Sequence, residues 1–502
     1  MAMITVLALA LIASPSQELC GSIEQQGPVE VLNLWGSWTD MGYAHGYLMA
    51  PRIKLVYETY MVELAGGVSN IDYLRLFYTQ HFSTPEPFSL QAAGMVAGMA
   101  DSIDLYSQVF GRNLDTLDVL LATAVQDFSG ATPVEGQLCS SVSAWGAATD
   151  AEPELEGSPA LSRNLDYYVD TGGNIYDAQL LLACDPDSGR EFVSVGFAGY
   201  MGVLSGMNSS GLCATLNMGD HTGISSWEPD FVPITMAMAM GLFEEDFNGS
   251  GSHDAEDMVA ALTGFNRSSS FIIHVSSPGQ LAWQEDTALV VEVNNLEGYA
   301  IRSAGDEPAI APGHIAATNH HRKLYTPSPG WRYPLLVDSM SADPEMSLER
   351  FWSLMGCVGF ETVPGSGGTI QTMILMPEQL RIGLALSDGE TASWQQDPTW
   401  LSWDDLFPNH GPQGAEGASG PPCKLKIFPN PARFVTNVQT TPGSEIRLFD
   451  LTGRRAIASS RAGTDGRAFL DLTDLPSGLY LVVACIEGRF KAARIAVLGQ
   501  AR

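Results

Sequence analysis

The chain has 502 residues, of which 45% are hydrophobic, and this length allows two or three domains with a large buried core. Its 25 Lys and Arg residues against 57 Asp and Glu give a formal net charge of -32. Because binding to phosphates needs a basic surface, this charge excludes nucleic acid as an expected partner. An acidic surface suits a soluble protein outside the cell and does not identify a substrate.

The N-terminus carries an apolar run from Ile4 to Ala13. The run is too short to span a membrane and is typical of a signal peptide, which we place at residues 1–19. Glu18 and Leu19 before Cys20 make a poor lipoprotein signal, so we expect no lipid anchor. The seven cysteines fit no zinc pattern, and their odd number predicts at least one free thiol in an exported protein.

Residues 20–138 are predicted to form a mainly helical region. A short strand near Val29 leads through a turn into a helix from about Tyr43, and helical periodicity continues over residues 51–127. The small residues of Ala92–Met99 favour close packing of helices. His45, in the first helix, is either functional or a buried histidine bonded to the backbone.

After this region the pattern changes to strands. Leu138–Gly146 predicts a strand that begins at Cys139, and a second strand after a Gly/Pro-containing turn ends in Arg163-Asn164-Leu165-Asp166. Adjacent antiparallel strands would bring Arg163 and Asp166 back beside the cysteine. A guanidinium favours the nucleophilic thiolate, and a carboxylate orients an amine or a substrate. The same residues also fit a buried structural cysteine and a surface ion pair.

The rest of the main region predicts a meander with little helix. Gly206–Asn217 is predicted as a hairpin with an Asn/Ser/Gly turn, and a helix is predicted from Ser347 to about Met355. His320 and His321 would point to opposite faces of a strand, so we expect no metal. The further strands are predicted at Gln179–Ala183, Glu191–Phe197, Gly202–Leu204, Phe271–Val275, Leu281–Gln284, Ala288–Val293, Gly368–Met376 and Leu380–Leu386.

A separate C-terminal module follows a Gly/Pro-rich linker at residues 408–422. Residues 423–502 carry short alternating strands such as Glu445–Asp450, with the phrases Phe428–Ala432, Leu448–Arg454 and Leu475–Tyr480. These phrases resemble the type IX secretion C-terminal sorting domain, a small Ig-like β-sandwich. The resemblance implies the type IX secretion machinery as a partner and a location outside the cell or on its surface.

The stretch around Cys139, with Ser162-Arg163-Asn164-Leu165-Asp166 after it, resembles the nucleophile region of a family of N-terminal-nucleophile (Ntn) hydrolases. The family is that of acyl-coenzyme A:6-aminopenicillanic acid acyltransferase, peptidase family C45. Similar motifs run in order from Leu34 to Leu386; Ser162 and Leu138 stand where the family has Gly. The resemblance implies an α+β fold, an αββα sandwich of two packed antiparallel sheets flanked by helices. Its catalytic core would be residues 139–407, and residues 20–138 would be a helical pro-region.

The resemblance also implies roles for named residues. The chain would cut itself between Leu138 and Cys139, and the new α-amine, with a reference pKa of about 7.7–8.0, would be the base for the thiol. Asn217 and Asn319 would stabilise the oxyanion, although Asn217 also fits a turn cap. The implied catalytic residues are Cys139, Arg163, Asp166, Asn217 and Asn319, and the implied substrate contacts are Arg350 and Trp145.

We therefore expect a secreted enzyme that cleaves a carbon–nitrogen bond other than a peptide bond in a small N-acyl substrate, without a cofactor. Acyl transfer to water or to another amine fits the same residues. A phospholipase B-like or ceramidase-like lipid hydrolase would use the same cysteine. A catalytically dead scaffold that binds a surface is the alternative without an activity.

Overall fold

The computed structural model describes residues 19–128, 138–221, 230–283, 286–306, 310–328, 330–363, 365–408 and most of 426–497. No helix within these ranges is long and apolar enough to cross a membrane. The α-helices are α1 (Trp38–Val56), α2 (Val62–Ala65), α3 (Val68–His81), α4 (Glu86–Ser102), α5 (Thr116–Thr123), α6 (Asn174–Asp177), α7 (Ile234–Phe243), α8 (Ala255–Thr263), α9 (Arg332–Ala342), α10 (Leu348–Val358) and α11 (Trp403–Leu406). The strands before the C-terminal module are β1 (Gly21–Gln26), β2 (Val29–Gly36), β3 (Tyr106–Ser107), β4 (Arg112–Asn113), β5 (Leu138–Ala144), β6 (Ala160–Tyr167), β7 (Gln179–Pro186), β8 (Phe192–Phe197), β9 (Ser205–Asn208), β10 (Cys213–Met218), β11 (Ser270–Ser276), β12 (Ala288–Asn294), β13 (Gly298–Arg302), β14 (His314–Ala317), β15 (Gly368–Met376), β16 (Arg381–Leu386) and β17 (Thr399–Ser402).

Two large sheets pack face to face in the main region. One has nine strands in the order β1-β2-β7-β8-β9-β10-β11-β12-β13, and the other has six in the order β14-β5-β6-β15-β16-β17. Val31 and Val195 of the first sheet pack against Leu375 of the second. The outer face of the nine-stranded sheet packs on α1, α4, α7 and α8, and that of the six-stranded sheet packs on α9 and α10. The predicted α+β class is confirmed.

The N-terminal strands belong to the same sheet as the strands that follow Cys139. β2 pairs in parallel with β7, with Leu34 opposite Cys184. A run such as Val29–Leu34, rich in β-branched and apolar residues, is typical of a strand buried on both faces. Residues 20–138 therefore contribute strands to the nine-stranded sheet as well as helices. The sheets were predicted to be antiparallel, whereas the pairing of β2 with β7 is parallel.

Helices α1 and α4 approach each other closely through glycines. A Cβ on Gly42 would lie 2.0 Å from the carbonyl oxygen of Gln91, and one on Gly46 would lie 1.9 Å from that of Met95. No side chain fits at these distances, so both positions require glycine. The close packing predicted from the small residues of Ala92–Met99 is confirmed.

Helix α1 begins earlier than predicted because a capping box fixes its start. The Ser37 hydroxyl accepts from the Asp40 N–H, and the Asp40 carboxylate accepts from the Ser37 N–H, so the helix starts at Trp38 rather than near Tyr43. His45 is fully buried, and its Nε2 accepts from the Gly199 N–H at 2.8 Å. Burial lowers the pKa of His45 to about 3. The interpretation of His45 as a buried residue bonded to the backbone is confirmed.

Most of the predicted strands are present, with two differences. Gly202–Leu204 is not a strand, because the chain passes α7 there and the Val203 N–H donates to the Thr235 carbonyl of that helix at 3.0 Å. Leu281 ends a short 3-10 turn that follows Pro278, and Gln284 lies outside the described residues. Helix α7 escaped prediction because it is buried on all sides and lacks an amphipathic period.

The C-terminal module consists of two small sheets around one core. The additional strands are β18 (Lys426–Phe428), β19 (Val435–Gln439), β20 (Glu445–Asp450), β21 (Arg455–Arg461), β22 (Arg467–Asp471), β23 (Gly478–Ile486) and β24 (Arg489–Val497). The sheets have the orders β18-β19-β22 and β21-β20-β23-β24, and Val438, Ile446 and Val482 lie in their shared core. The Ig-like topology stays a prediction. Residues 1–18 of the signal peptide and 409–422 of the linker lie outside the described residues.

Candidate active site

The predicted hairpin at the cysteine is present. Strands β5 and β6 pair antiparallel, with Cys139 opposite Leu165 and Leu138 opposite Asp166. Side chains two positions apart on a strand share a face, so Arg163 lies on the same face as Leu165. The Nη2 of Arg163 is 3.4 Å from the Sγ of Cys139. The hairpin thus places a guanidinium against the thiol, as the sequence predicts.

Arg163 is fixed by partners from the opposite sheet. Its Nη1 donates to the Ser205 hydroxyl at 2.6 Å, and its Nη2 donates to the Leu216 carbonyl at 2.6 Å. The side chain is fully buried, and burial lowers its pKa while Cys139 and Asp166 raise it. The arginine remains charged at neutral pH, because a guanidinium loses its proton only at very high pH.

The thiol of Cys139 is buried, with 2% of the residue exposed. Burial raises the pKa of this thiol and Asp166 raises it further, whereas the guanidinium groups of Arg163 and Arg332 lower it. The net direction is upward, so the thiol of the uncut chain carries its proton at neutral pH. A nucleophilic reaction at this sulfur therefore needs a base.

Asn319 contacts the backbone of the cysteine. Its Oδ1 accepts from the Cys139 N–H at 2.7 Å, and its Nδ2 donates to the Met218 carbonyl at 2.8 Å. Strand β14 pairs with β5 only as far as Ala317 opposite Ser141. Beyond that point the side chain of Asn319 accepts the hydrogen bond of the Cys139 N–H, in place of the backbone of a neighbouring strand.

Arg332, the first residue of α9, connects several of these groups, and the sequence analysis missed it. Its Nη1 donates to the Cys139 carbonyl at 3.0 Å and to Oδ2 of Asp166 at 3.1 Å. Its Nη2 donates to Oδ1 of Asn319 at 2.6 Å. The planar fork of arginine suits such a bridge between a carboxylate and an amide oxygen.

Asp166 is buried between two donors. The Thr369 hydroxyl donates to its Oδ1 at 2.5 Å, and Arg332 binds its Oδ2. Burial raises the pKa of Asp166 to about 6, although Arg332, Thr369 and Arg163 each lower it. At neutral pH the carboxylate form predominates and holds Arg332 in place.

Asn217 reaches the same region from the nine-stranded sheet. It is fully buried near the end of β10, and its Nδ2 donates to the Ser141 hydroxyl at 3.3 Å. Ser141 lies two residues after Cys139 and therefore on the same face of β5. The Oδ1 of Asn217 has no hydrogen-bond partner among the described residues. Its amide contacts the opposite strand rather than a turn.

Two predicted contacts lie apart from this cluster. Trp145 follows the far end of β5, roughly 20 Å along the strand from Cys139, and packs against the apolar cluster that includes Ile272. Arg350 lies on α10, where it donates to the carbonyl groups of Ser339 and Asp343 at 2.7 and 3.0 Å. The structure does not bring either residue to the cysteine.

A sequence signal for Arg332 exists in retrospect. Arg332 lies 13 positions after Asn319, behind a connection rich in Pro and Gly. A helix that starts so soon after a strand returns near the end of that strand. The arginine of its first turn was the better candidate than Arg350 further along the chain.

The thiol is enclosed in the uncut chain. A cavity of about 210 Å³ is lined by residues such as Arg267, Asn295 and Tyr299, and Cys139 is not among its lining residues. Among the described residues no group of three His, Cys, Asp or Glu side chains is placed to hold a metal ion.

Comparison with known proteins assigns the C-terminal module. Residues 426–497 match the model of the secretion system C-terminal sorting domain. The predicted sorting domain is confirmed, and it directs the protein to the cell surface or the extracellular space. A search of curated protein sequences finds no match.

Three of the solved structures that this chain matches are named as an amidase, a hydrolase and an acylase. The chain is 15% identical to a Caenorhabditis elegans N-acylethanolamine-hydrolyzing acid amidase ortholog, over 52% of this chain and 100% of that one, with a TM-score of 0.35. It is 13% identical to a mutant conjugated bile acid hydrolase from Clostridium perfringens, over 52% and 92%, with a TM-score of 0.33. It is 11% identical to a penicillin V acylase from Agrobacterium tumefaciens, over 53% and 88%, with a TM-score of 0.29.

Proposed function

We propose that this protein is a secreted amidase or acyltransferase with Cys139 as its nucleophile, activated by a cut between Leu138 and Cys139. One observation supports this above the others. Both reactive groups of an N-terminal cysteine already have dedicated polar partners in the uncut chain. The thiol has Arg163 at 3.4 Å and the backbone nitrogen has Asn319 at 2.7 Å.

The cut is an acyl shift followed by hydrolysis. The Cys139 thiol adds to the carbonyl carbon of Leu138, the peptide C–N bond breaks, and the nitrogen takes the thiol proton to become the α-amine. Water then hydrolyses the resulting thioester, which leaves a carboxylate on Leu138 and restores the thiol. Leu138 is 37% exposed, so water has access to this end of β5.

In turnover the new α-amine takes the proton of its own thiol. Its reference pKa of about 7.7–8.0 suits proton exchange near neutral pH. Arg163 stabilises the thiolate, which attacks the carbonyl carbon of an N-acyl substrate. The α-ammonium returns the proton to the departing amine, and water or a second amine resolves the acyl thioester.

The two asparagines have different roles in this proposal. Oδ1 of Asn319 accepts from the cysteine nitrogen and from Arg332, so Asn319 orients the nucleophile. Nδ2 of Asn217 donates to Ser141, and an amide nitrogen carries two N–H groups, so one N–H remains for a substrate. We assign Asn217 as the donor to the oxyanion that forms on the substrate carbonyl.

The test compares wild-type protein with two cysteine variants. N-terminal sequencing and intact mass of the wild type should find a chain that begins at Cys139, and the protein should hydrolyse members of a panel of N-acyl amides. Cys139→Ala should stay uncut and inactive. Cys184→Ala, which changes another buried thiol on β7, should behave as the wild type does.

Two outcomes would contradict the proposal. If Cys139→Ala is still cut after Leu138, another protease makes the cut. If the folded wild type stays uncut and hydrolyses no amide or ester, the main region is a binding scaffold.

A further inference from the structure

A buried histidine stands behind the oxyanion donor. His274, in the middle of β11, places its Nδ1 2.9 Å from the Ser141 hydroxyl, and the same hydroxyl accepts from Nδ2 of Asn217 at 3.3 Å. All three side chains are fully buried. Their hydrogen bonds form a chain that runs from His274 on the nine-stranded sheet to Ser141 on β5 and back to Asn217 on the nine-stranded sheet. None of the roles proposed above uses His274.

The protons in this chain can be placed by elimination. Burial lowers the pKa of His274 to about 3, and Arg302 lowers it further, so the imidazole is neutral. With the N–H end of Asn217 donating to the Ser141 oxygen, the hydroxyl proton goes to the other side-chain partner of Ser141 among the described residues, Nδ1 of His274. This arrangement makes His274 the tautomer that accepts at Nδ1 and carries its proton on Nε2, which has no hydrogen-bond partner among the described residues.

We propose that His274 is a positioning residue that fixes the orientation of the Asn217 amide through the Ser141 hydroxyl. The inference rests on the proposed function, because it concerns the donor to the substrate oxyanion. The oxygen and nitrogen of an amide are nearly equal in size, so hydrogen bonds decide which way the amide lies. With its proton committed to His274, the Ser141 oxygen has only lone pairs to offer, and it accepts the N–H end of Asn217.

The reverse arrangement shows what the histidine prevents. If His274 donated to Ser141, the hydroxyl proton would be free to bind Oδ1 of Asn217. The amide would then turn, and its geometry toward the substrate oxyanion would change. The neutral tautomer that carries its proton on Nε2 has no proton on Nδ1 to donate, so it removes that arrangement while the imidazole is uncharged.

The first experiment removes the middle of the chain. In Ser141→Ala we expect kcat on an N-acyl amide to fall by about 10- to 100-fold, with KM nearly unchanged, because the donor matters when the oxyanion forms. Ser143→Ala is the matched control, since Ser143 is the next buried serine on the same face of β5 and its hydroxyl has no partner among the described residues. Ser143→Ala should keep the kcat and KM of the wild type.

The second experiment tests the histidine itself. His274→Asn keeps an acceptor near the position of Nδ1 and should retain most of the kcat, whereas His274→Leu removes it and should match Ser141→Ala. The double variant Ser141→Ala/His274→Leu should lose no more than Ser141→Ala, because both changes break one chain. Melting temperatures and the fraction cut after Leu138 identify variants that fail to fold.

The outcomes separate this inference from the proposed function. If the wild type is active and folded Ser141→Ala retains its kcat, or if the two losses add in the double variant, His274 does not position Asn217. If the wild type is neither cut nor active, the proposed function fails first. A KM increase without loss of kcat would also overturn the inference, since it would place Ser141 in substrate binding.

Discussion

Asn319 and Asn217 approach the nucleophile from opposite sheets and are held in opposite ways. Asn319 follows β14 of the six-stranded sheet and is engaged at both ends of its amide, by Cys139 and Arg332 at the oxygen and by Met218 at the nitrogen. The side chain of Asn217, on β10, has one hydrogen-bond partner in the part of the chain that the structure describes, the Ser141 hydroxyl. The fully engaged amide is suited to hold the nucleophile, and the partly engaged one is available to the substrate.

The two amides also differ in how much the fold depends on them. A hydrogen bond to a charged group contributes about 1.5–3 kcal/mol, and one between neutral groups about 0.5–1.5 kcal/mol. Asn319 binds a buried guanidinium, whereas Asn217 binds a hydroxyl. Substitution of Asn319 should therefore lower both activity and stability, whereas substitution of Asn217 should lower activity alone.

The largest effect is expected from alanine at the two positions. Asn319→Ala removes one acceptor of the buried Arg332, whose Nη2 donates to Asn319, so we expect a loss of about 2 kcal/mol in the free energy of unfolding together with loss of the cut after Leu138. Asn217→Ala should reduce kcat by about 100- to 1,000-fold while the melting temperature changes little. Denaturant unfolding and steady-state kinetics on the same preparations measure both. Equal stability losses in the two variants would remove the distinction between them.

A smaller effect is expected where Arg332 connects Asn319 to Asp166. Arg332→Lys keeps the charge and loses the planar fork, so we expect kcat to fall by about tenfold or more because one ammonium cannot serve all the acceptors. Arg350→Lys is the control, since Arg350 contacts Ser339 and Asp343 on the outer helices. Steady-state kinetics of both variants test this prediction. A loss of kcat in Arg350→Lys equal to that in Arg332→Lys would mean that Arg350 also acts in the site.

The smallest effect is a shift along the pH axis. Asp166 must be a carboxylate to hold Arg332, and its pKa is raised to about 6, so the part of the activity that depends on this ion pair should be lost as the pH drops through that value. The Thr369 hydroxyl lowers this pKa by donating to the carboxylate. Thr369→Val should therefore move the acid limb of kcat/KM upward, by up to about one pH unit. A limb that stays in place would mean that another group titrates there.

Local patterns gave much of this site from the sequence. Alternation and a turn predicted the β5–β6 hairpin, and the hairpin brings Arg163 to the Cys139 thiol and places Asp166 beside the cysteine on the other face of the sheet. The hairpin of β9 and β10 likewise placed Asn217 in a strand. In each case the residues concerned are joined by one short connection, so local rules suffice.

The remaining parts depend on how distant segments pack. The parallel pairing of β2 with β7 and the contact of Arg332 with Asn319 join segments whose placement no local period determines. Arg332 and Arg350 each lie at or near the start of a helix and carry the same charge. The packing of α9 behind β14 brings Arg332 to this cluster, whereas Arg350 bonds to Ser339 and Asp343.

The parallel pairing of β2 with β7 has a consequence for the life of the molecule after the proposed cut. The two pieces would remain together as strands of one sheet, so the mature enzyme would be a heterodimer made from a single gene product. The precursor folds as one molecule, but the separated pieces would have to find each other in solution, at a rate set by their concentration. Unfolding would then be close to irreversible outside the cell, and the lifetime of the enzyme would be set by the height of the unfolding barrier.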